Sequence, residues 1–261
     1  MRLDVYISSE MKLCSREKAR YYIKNGDVCV DGKVVSKPSF DVGENSRVEV
    51  RESLGFVGKG GLKLEKAVES FKLNFFDKTV LDVGASTGGF TDCALQHGAK
   101  KVYAVDVGHD QLAPKLANDE RVVNLEGHNI LDTAPSELEK IDIIVSDVSF
   151  VSSKKIVPHL VNFIDGNGMI VWLIKPQFEV GKKRLKRGVV TDRATHESIL
   201  SEVLSFVGTL GLTVCGLDFS PVKGGEGNIE FLALFGKNAE KGIKPDIKAT
   251  VRRAHEELKG K

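Results

Sequence analysis

Thr79-Val80-Leu81-Asp82-Val83-Gly84-Ala85-Ser86-Thr87-Gly88-Gly89-Phe90-Thr91-Asp92 is the stretch that decides the fold. Its first five residues are β-branched or apolar around one acid and read as a buried strand. Glycines at 84, 88 and 89 then let the backbone turn and come close to a ligand. The spacing is neither GxGxxG nor GxxxxGK[ST]. No lysine is placed for a triphosphate, which argues against a nucleoside triphosphatase.

Outward from this loop, the chain alternates. An amphipathic helix marked by Leu64, Ala67, Val68 and Phe71 precedes it. Further strands are expected at Lys101–Val107, Val122–Leu125, Asp142–Ser146 and Met169–Ile174, with helices such as Ser153–Ile164 and Arg193–Leu210 between them. That alternation implies an α/β fold with a parallel sheet covered on both faces. Thr213–Phe219 and Ile229–Gly236 follow with only a Gly-rich loop between them, and read as an antiparallel pair at the sheet edge. This makes seven strands. The tail, Lys244–Lys259, reads as a polar helix or a frayed end. Before residue 55 the elements are short. Ser15 can cap a helix that Gly26 ends. Val28–Val35 reads as a hairpin about Asp31-Gly32. The expected division is residues 1–54, a linker 55–61, an α/β domain 62–240 and a tail 241–261.

Chemistry-bearing residues gather at the strand ends. Asp106 follows Asp82 by 24 residues and closes the second strand. An acid there can accept hydrogen bonds from both ribose hydroxyls, and Asp82 suits a cationic amino-acid end. The loop, taken as Asp82, Gly84, Ala85, Ser86, Thr87, Gly88, Gly89 and Phe90 with Asp106, fits S-adenosylmethionine better than a dinucleotide. Lys63 opens the preceding helix, Asp147 ends the fourth strand, Lys175 ends the fifth, and Glu230 begins the last. The last strand runs antiparallel, so all four reach the edge where ligands bind in doubly wound sheets. A ribose hydroxyl needs its proton drawn away, and a lysine does this only when burial or a neighbouring cation lowers its pKa. Lys175 is expected to deprotonate or steer the hydroxyl, with Asp147 and Lys63 tuning it and Glu230 completing the set. Spacing does not say which lysine is the base. The fourth strand ends Asp147-Val148-Ser149-Phe150 rather than Asn/Asp-Pro-Pro-Tyr, which points to an oxygen acceptor rather than an amino group.

Charge points the same way. The net charge of the 261 residues is +2, and residues 1–60 hold 11 Lys/Arg against 9 Asp/Glu, so the surplus lies there. Arg16, Arg20 and Lys24 recur every four residues and would form one basic helical stripe suited to an RNA phosphate backbone. The four cysteines show no CxxC pair, so no metal is expected. No apolar run is long enough to span a bilayer, and the N-terminus lacks the apolar core of a signal peptide. A cytoplasmic protein, with no membrane or DNA partner, is expected.

The motifs together carry a resemblance. Arg2-Leu3-Asp4, Ser15-Arg16-Glu17-Lys18-Ala19, Gly26-Asp27-Val28 and Val30-Asp31-Gly32 resemble an S4 RNA-binding domain. Gly60-Gly61-Leu62-Lys63-Leu64, Asp82 to Asp92, Asp106-Val107-Gly108, Ser146 to Phe150, Lys175-Pro176-Gln177-Phe178-Glu179 and Glu226-Gly227-Asn228-Ile229-Glu230 resemble an FtsJ-like methyltransferase domain. Over nearly the whole chain the pair is similar to the TlyA family, the hemolysin A-type rRNA 2′-O-methyltransferases. The resemblance implies a Rossmann-like seven-stranded methyltransferase sheet, its last strand antiparallel, behind a small α+β S4 domain. It implies a Lys-Asp-Lys-Glu tetrad at Lys63, Asp147, Lys175 and Glu230, with Asp147 also beside the cofactor and Asn129 near its adenine. It implies cytidine ribose methylation in ribosomal RNA, with Arg2, Ser15, Arg16, Arg20, Lys24 and Lys59 facing that RNA. Residue 131 is Leu where the family has Arg, and Gly58-Lys59 stands where it has Ser-Arg. Two rival readings are an inactive ribosome-binding factor, which the intact tetrad opposes, and a membrane-active hemolysin, which the lack of a spanning segment opposes.

Overall fold

The computed structural model describes residues 1–13, 16–43, 45–50, 55–180, 185 and 188–259. They fall into two compact units, Met1–Gly55 and Phe56–Lys261.

In the first unit, α1 (Leu3–Val5) runs into a π-helical turn at Tyr6–Glu10, followed by α2 (Arg16–Asn25), β1 (Val28–Val30), β2 (Lys33–Val34) and β3 (Val48–Val50). The strands order β2-β1-β3, all antiparallel. Asp31 and Gly32 both take positive φ, 50° and 77°. That is the mirror-image turn whose twist matches a two-residue hairpin. Leu3, Ile7, Ala19, Ile23, Val28 and Val30 form the buried core. On α2, Ala19 and Ile23 are fully buried.

The second unit begins with α3 (Lys59–Phe71) and β4 (Thr79–Val83). It continues through α4 (Gly89–Gln96), β5 (Lys101–Asp106), α5 (Pro114–Ala117), β6 (Val122–Glu126) and β7 (Ile141–Ser146). Then come α6 (Ser153–Leu160), β8 (Ile164–Ile174), α7 (Pro176–Glu179), α8 (Arg193–Thr209), β9 (Leu212–Phe219), β10 (Phe231–Lys237) and α9 (Ile247–Glu257). The strands order β6-β5-β4-β7-β8-β10-β9, with β10 antiparallel to both neighbours and β4 to β8 parallel. Strand alternation divides the core: Leu81 and Val83 face α6 and α8, while Val80 faces α3 and α4. The chain's direction of winding reverses between β4 and β7, which opens the crevice where such sheets bind ligands.

Several expectations shift. Residues 55–61 do not form a linker throughout, because Phe56 onward belongs to the second unit and Lys59–Gly61 is the first turn of α3. The fifth strand starts at Ile164, not Met169, and the helix before it stops at Leu160, ahead of a 3-10 turn at Val161–Phe163. Of the two readings of the tail, the helix is the one that forms, as α9 over Ile247–Glu257. Asp246 caps α9 by accepting from Ala249 N at 2.9 Å, and Val251, Ala254 and Leu258 are buried in the α6–α8 side of the core.

Candidate active site and RNA-facing unit

The loop after β4 is held from both sides. Gly84 N and Ala85 N donate to Val105 O at 2.8 and 3.1 Å. Gly84 has φ +83°, and a Cβ there would lie 3.3 Å from Asp147 O, so glycine lets the loop rest against the end of β7. Asp106 accepts from Ser86 N and Gly108 N, both at 2.8 Å, tying the loop to the end of β5. Each of its oxygens keeps a lone pair for a further donor. Thr87 O accepts from Ala113 N, and Gly88 O from Asp92 N, which starts α4. A Cβ on Gly89 would lie 2.8 Å from Gly61 N and 3.0 Å from Gly60 Cα. The glycines therefore allow α3 and α4 to touch backbone to backbone, and this contact brings Lys63 to the crevice.

Two loop residues lie deeper than expected. Phe90 is buried among the apolar side chains between the sheet and α3–α4, so it packs the core. Asp82 is fully buried. One oxygen accepts from Thr91 Oγ1 at 2.7 Å and the other has no partner among the described residues. Burial pushes its pKa up to about 7, and the charges of Asp147 and Asp106 add to the rise. Three carboxylates around one loop, one with a vacant acceptor, suit a ligand that is cationic at both sulfur and amine, as S-adenosylmethionine is. Asn129 caps the 3-10 turn Ile130–Asp132, accepting from Leu131 N at 3.1 Å, and is exposed. Sequence reasoning missed Glu126, which accepts from Gln111 N and Leu112 N at 2.6 and 2.9 Å and fixes the segment after β5. Its signal was its place as the acid ending the third strand.

The four charged residues expected to meet do meet. Lys63 Nζ lies 2.9 Å from Asp147 Oδ2 and 2.8 Å from Glu230 Oε2, and Lys175 Nζ lies 2.5 Å from Asp147 Oδ1. Register explains part of this: Phe231 pairs with Ile174, so Glu230 and Lys175 occupy adjoining strand ends. Lys63 and Lys175 are each only 8% exposed and Glu230 2%. Burial works to lower the Lys63 pKa, but the charges of Asp147 and Glu230 outweigh it and hold the group above its usual value. Burial raises the Glu230 pKa against the pull of Lys63. Lys63 is therefore a fixed ammonium bridging two carboxylates. Lys175 instead donates to Ser149 Oγ at 2.7 Å and to Asp147 O at 3.3 Å.

The segment after Asp147 is built to be accessible. Glu179 accepts from Ser152 Oγ and Ser153 N at 2.6 and 2.7 Å, pinning it to α7. Phe150 has φ +66° and is 90% exposed, with its ring 5.1 Å from that of Phe178. Left-handed backbone is uncommon for a bulky residue other than glycine. Asn228, buried near Glu230, accepts from Val190 N and donates to Gly188 O, both at 3.1 Å, holding two loops together.

In the first unit the basic stripe takes a different form from the one expected. Arg2 Nε donates to Asp4 Oδ1 at 2.9 Å, while Arg16 Nε and Arg20 Nε donate to Asp4 Oδ2 at 3.1 and 2.9 Å. Asp4 is fully buried, and the guanidiniums are about half exposed. The hydrogen bond from Arg2, reinforced by Arg20 and Arg16, holds the Asp4 carboxyl below the usual carboxylate range. One buried anion thus gathers three cations from two helical segments, leaving a net positive cluster at the surface. Spacing along α2 could not reveal Asp4 as its centre. Lys59 is half-buried at the start of α3. Ser15 and the Lys24 side chain lie outside the described residues.

Among the described residues, no helix is long and apolar enough to cross a membrane. The FtsJ-like methyltransferase model matches residues 56–237, and the S4 domain model residues 1–48. The chain is 44% identical over 238 residues to Hemolysin A of Brachyspira hyodysenteriae, covering 90% of this chain and 99% of that protein. It is 37% identical over 234 residues to the 16S/23S rRNA (cytidine-2'-O)-methyltransferase TlyA of Mycobacterium tuberculosis, covering 88% of this chain and 87% of that one. Among solved structures, one from Streptococcus thermophilus named as a hemolysin superposes with a TM-score of 0.81 at 40% identity, covering 99% of this chain and 97% of that chain.

Proposed function

This chain belongs to the FtsJ-like methyltransferase family, with an S4 domain ahead of the catalytic unit, and from that premise we propose that it methylates the ribose 2′-hydroxyl of a cytidine in ribosomal RNA. The observation that carries the reading is the linked set Lys63–Asp147–Lys175 with Glu230, at the crevice edge beside the Gly84–Gly89 loop. S-adenosylmethionine supplies the methyl group on a sulfonium, which becomes a thioether on transfer. Asp106 would hold the ribose hydroxyls of the cofactor, the backbone of Gly84 to Gly88 would line its amino-acid end, and Asn129 would face its adenine.

The chain's own side chains prepare the acceptor. Lys175 draws the proton from O2′ as the new carbon–oxygen bond forms. It does so as the free amine, the proton of its ammonium having passed to solvent beforehand. Asp147 orients both ammonium groups, and Glu230 anchors Lys63. Ser149 holds Lys175 in place. Phe150 presents an apolar face three residues from Asp147 on which a base can stack. The Arg2–Arg16–Arg20 cluster grips phosphate, with Asp4 presetting its geometry, and Lys59 adds a further cation for RNA.

The test is transfer of a labelled methyl group to isolated ribosomal subunits, followed by mapping of 2′-O-methyl positions. Label at a cytidine ribose, abolished by Lys175→Ala, is expected. Label on a base nitrogen, or none on either subunit, would overturn the reading.

A further inference from the structure

Helices α3 and α4 bring together three side chains that methyl transfer leaves unused. Glu65 comes from α3, Cys93 from α4, and His97 from the C-cap of α4. Cys93 and His97 stand four residues apart, so they share one helix face. His97 Nε2 lies 2.6 Å and Cys93 Sγ 3.5 Å from Glu65 Oε2. The three donor atoms all fall within 4.8 Å of one another. Cys93 is buried, while the side chains of Glu65 and His97 are each one-third exposed. The cluster therefore has a dry sulfur at its base and a mouth open to solvent.

We propose that Glu65, Cys93 and His97 form a binding site for a thiophilic divalent cation of the zinc class. One thiolate, one imidazole and one carboxylate favour zinc over the hard cations magnesium and calcium, which take oxygen ligands. A tetrahedral zinc about 2.3 Å from sulfur and about 2.0–2.2 Å from nitrogen and oxygen places the sulfur and oxygen about 3.6 Å apart, and the nitrogen and oxygen about 3.4 Å apart. The first separation is already in place. The second requires the His97–Glu65 hydrogen bond to open by under about 1 Å, which two partly exposed side chains can do by small torsions. The fourth position faces the open mouth and takes water.

The Cys93 proton must leave as the ion enters, so ion uptake and thiol deprotonation occur together. The bound ion would tie α3, which carries Lys63, to α4, which follows the cofactor loop, and so stabilise the catalytic unit by linkage. Cysteine spacing offered no hint, because the third ligand lies 28 residues before Cys93 on another helix.

The test adds Co²⁺ to the full-length, metal-free chain and records its absorption, with Zn²⁺ as competitor. A near-ultraviolet sulfur-to-cobalt charge-transfer band with visible tetrahedral bands, both erased by Zn²⁺, is expected. Cys93→Ser should abolish the charge-transfer band. Glu65→Gln and His97→Gln should each weaken Co²⁺ binding at least about tenfold, no less than loss of an outer-shell partner does. Absence of the band in the unsubstituted chain overturns the proposal, as does a band that persists in Cys93→Ser. If Cys93→Ser does not fold, the two partly exposed positions decide: full Co²⁺ affinity in both variants overturns it.

Discussion

Replacing Lys63 by Met removes a cation that touches both Asp147 and Glu230, at 2.9 and 2.8 Å. Glu230 is 2% exposed and its pKa is already raised by burial. Without Lys63 it must either hold an uncompensated buried charge or take up a proton. Breaking one side of a buried pair costs about 3–5 kcal/mol, which for a unit of this size lowers Tm by on the order of 10 °C. Lys63→Met with Glu230→Gln leaves no orphaned charge and should recover most of that loss. The sign of the pH dependence follows from the raised Glu230 pKa. In Lys63→Met the native state binds a proton that the unfolded chain releases above its own pKa, so the variant gains stability relative to wild type as pH falls through the folded value. Activity should not follow stability. Methyl transfer should drop by about 10²–10⁴ in both the single and the double variant, the range of a lost acid–base contribution. Thermal melts from pH 5 to 8 and labelled methyl transfer below the melting range read the two effects separately. If Glu230→Gln fails to rescue the stability of Lys63→Met, or Lys63→Met keeps activity within threefold, the coupled network is refuted.

Lys175→Ala should lower turnover about 10²–10⁴ with S-adenosylmethionine affinity unchanged by calorimetry, because Lys175 contacts Asp147 and Ser149 and not the loop. Asp4→Asn should loosen the arginine cluster and weaken binding of an rRNA fragment at least about threefold, on the basis that each charge-assisted contact contributes on the order of 1 kcal/mol; unchanged affinity in a filter-binding titration contradicts the role of Asp4. Gly89→Ala should destabilise the second unit by about 1–3 kcal/mol in urea melts, since its Cβ would meet Gly61 backbone at 2.8 Å. His196 is held neutral, with burial lowering its pKa to about 4 and the neighbouring His255 adding to the fall. Its contribution to stability is present above the unfolded histidine pKa and is lost as pH falls toward 4, so His196→Phe should flatten the acid side of the Tm profile.

The most legible elements were those whose burial pattern is local. β4 was read residue for residue because a central strand covered on both faces is buried at every position, and its residues are β-branched or apolar apart from Asp82. The hairpin was legible because Asp31-Gly32 takes the only backbone its turn allows. The tetrad was legible because strand ends of a doubly wound sheet converge, whatever lies between them. The start of β8 at Ile164 was hidden by Asp165, Gly166, Asn167 and Gly168, which carry no strand pattern and bulge out between the pairings of Ile141 with Ile164 and Ile143 with Met169. Glu126, Ser149 and Glu179 were not singled out, since a hydrogen bond across loops leaves no periodicity behind.

From the chain's order of residues alone came the alternation of strand and helix, the loop geometry at Gly84 to Gly89, and the four charges set at element ends, because backbone preference and side-chain period act between near neighbours. Tertiary contact alone decided how those charges behave. Lys63 is a fixed cation only because Glu230, far along the chain, closes on it in a dry site. Arg2, Arg16 and Arg20 form one cluster only because Asp4 is buried between them. Ionisation responds to every charge within a few ångströms and to the loss of water around it, and both are properties of three-dimensional packing.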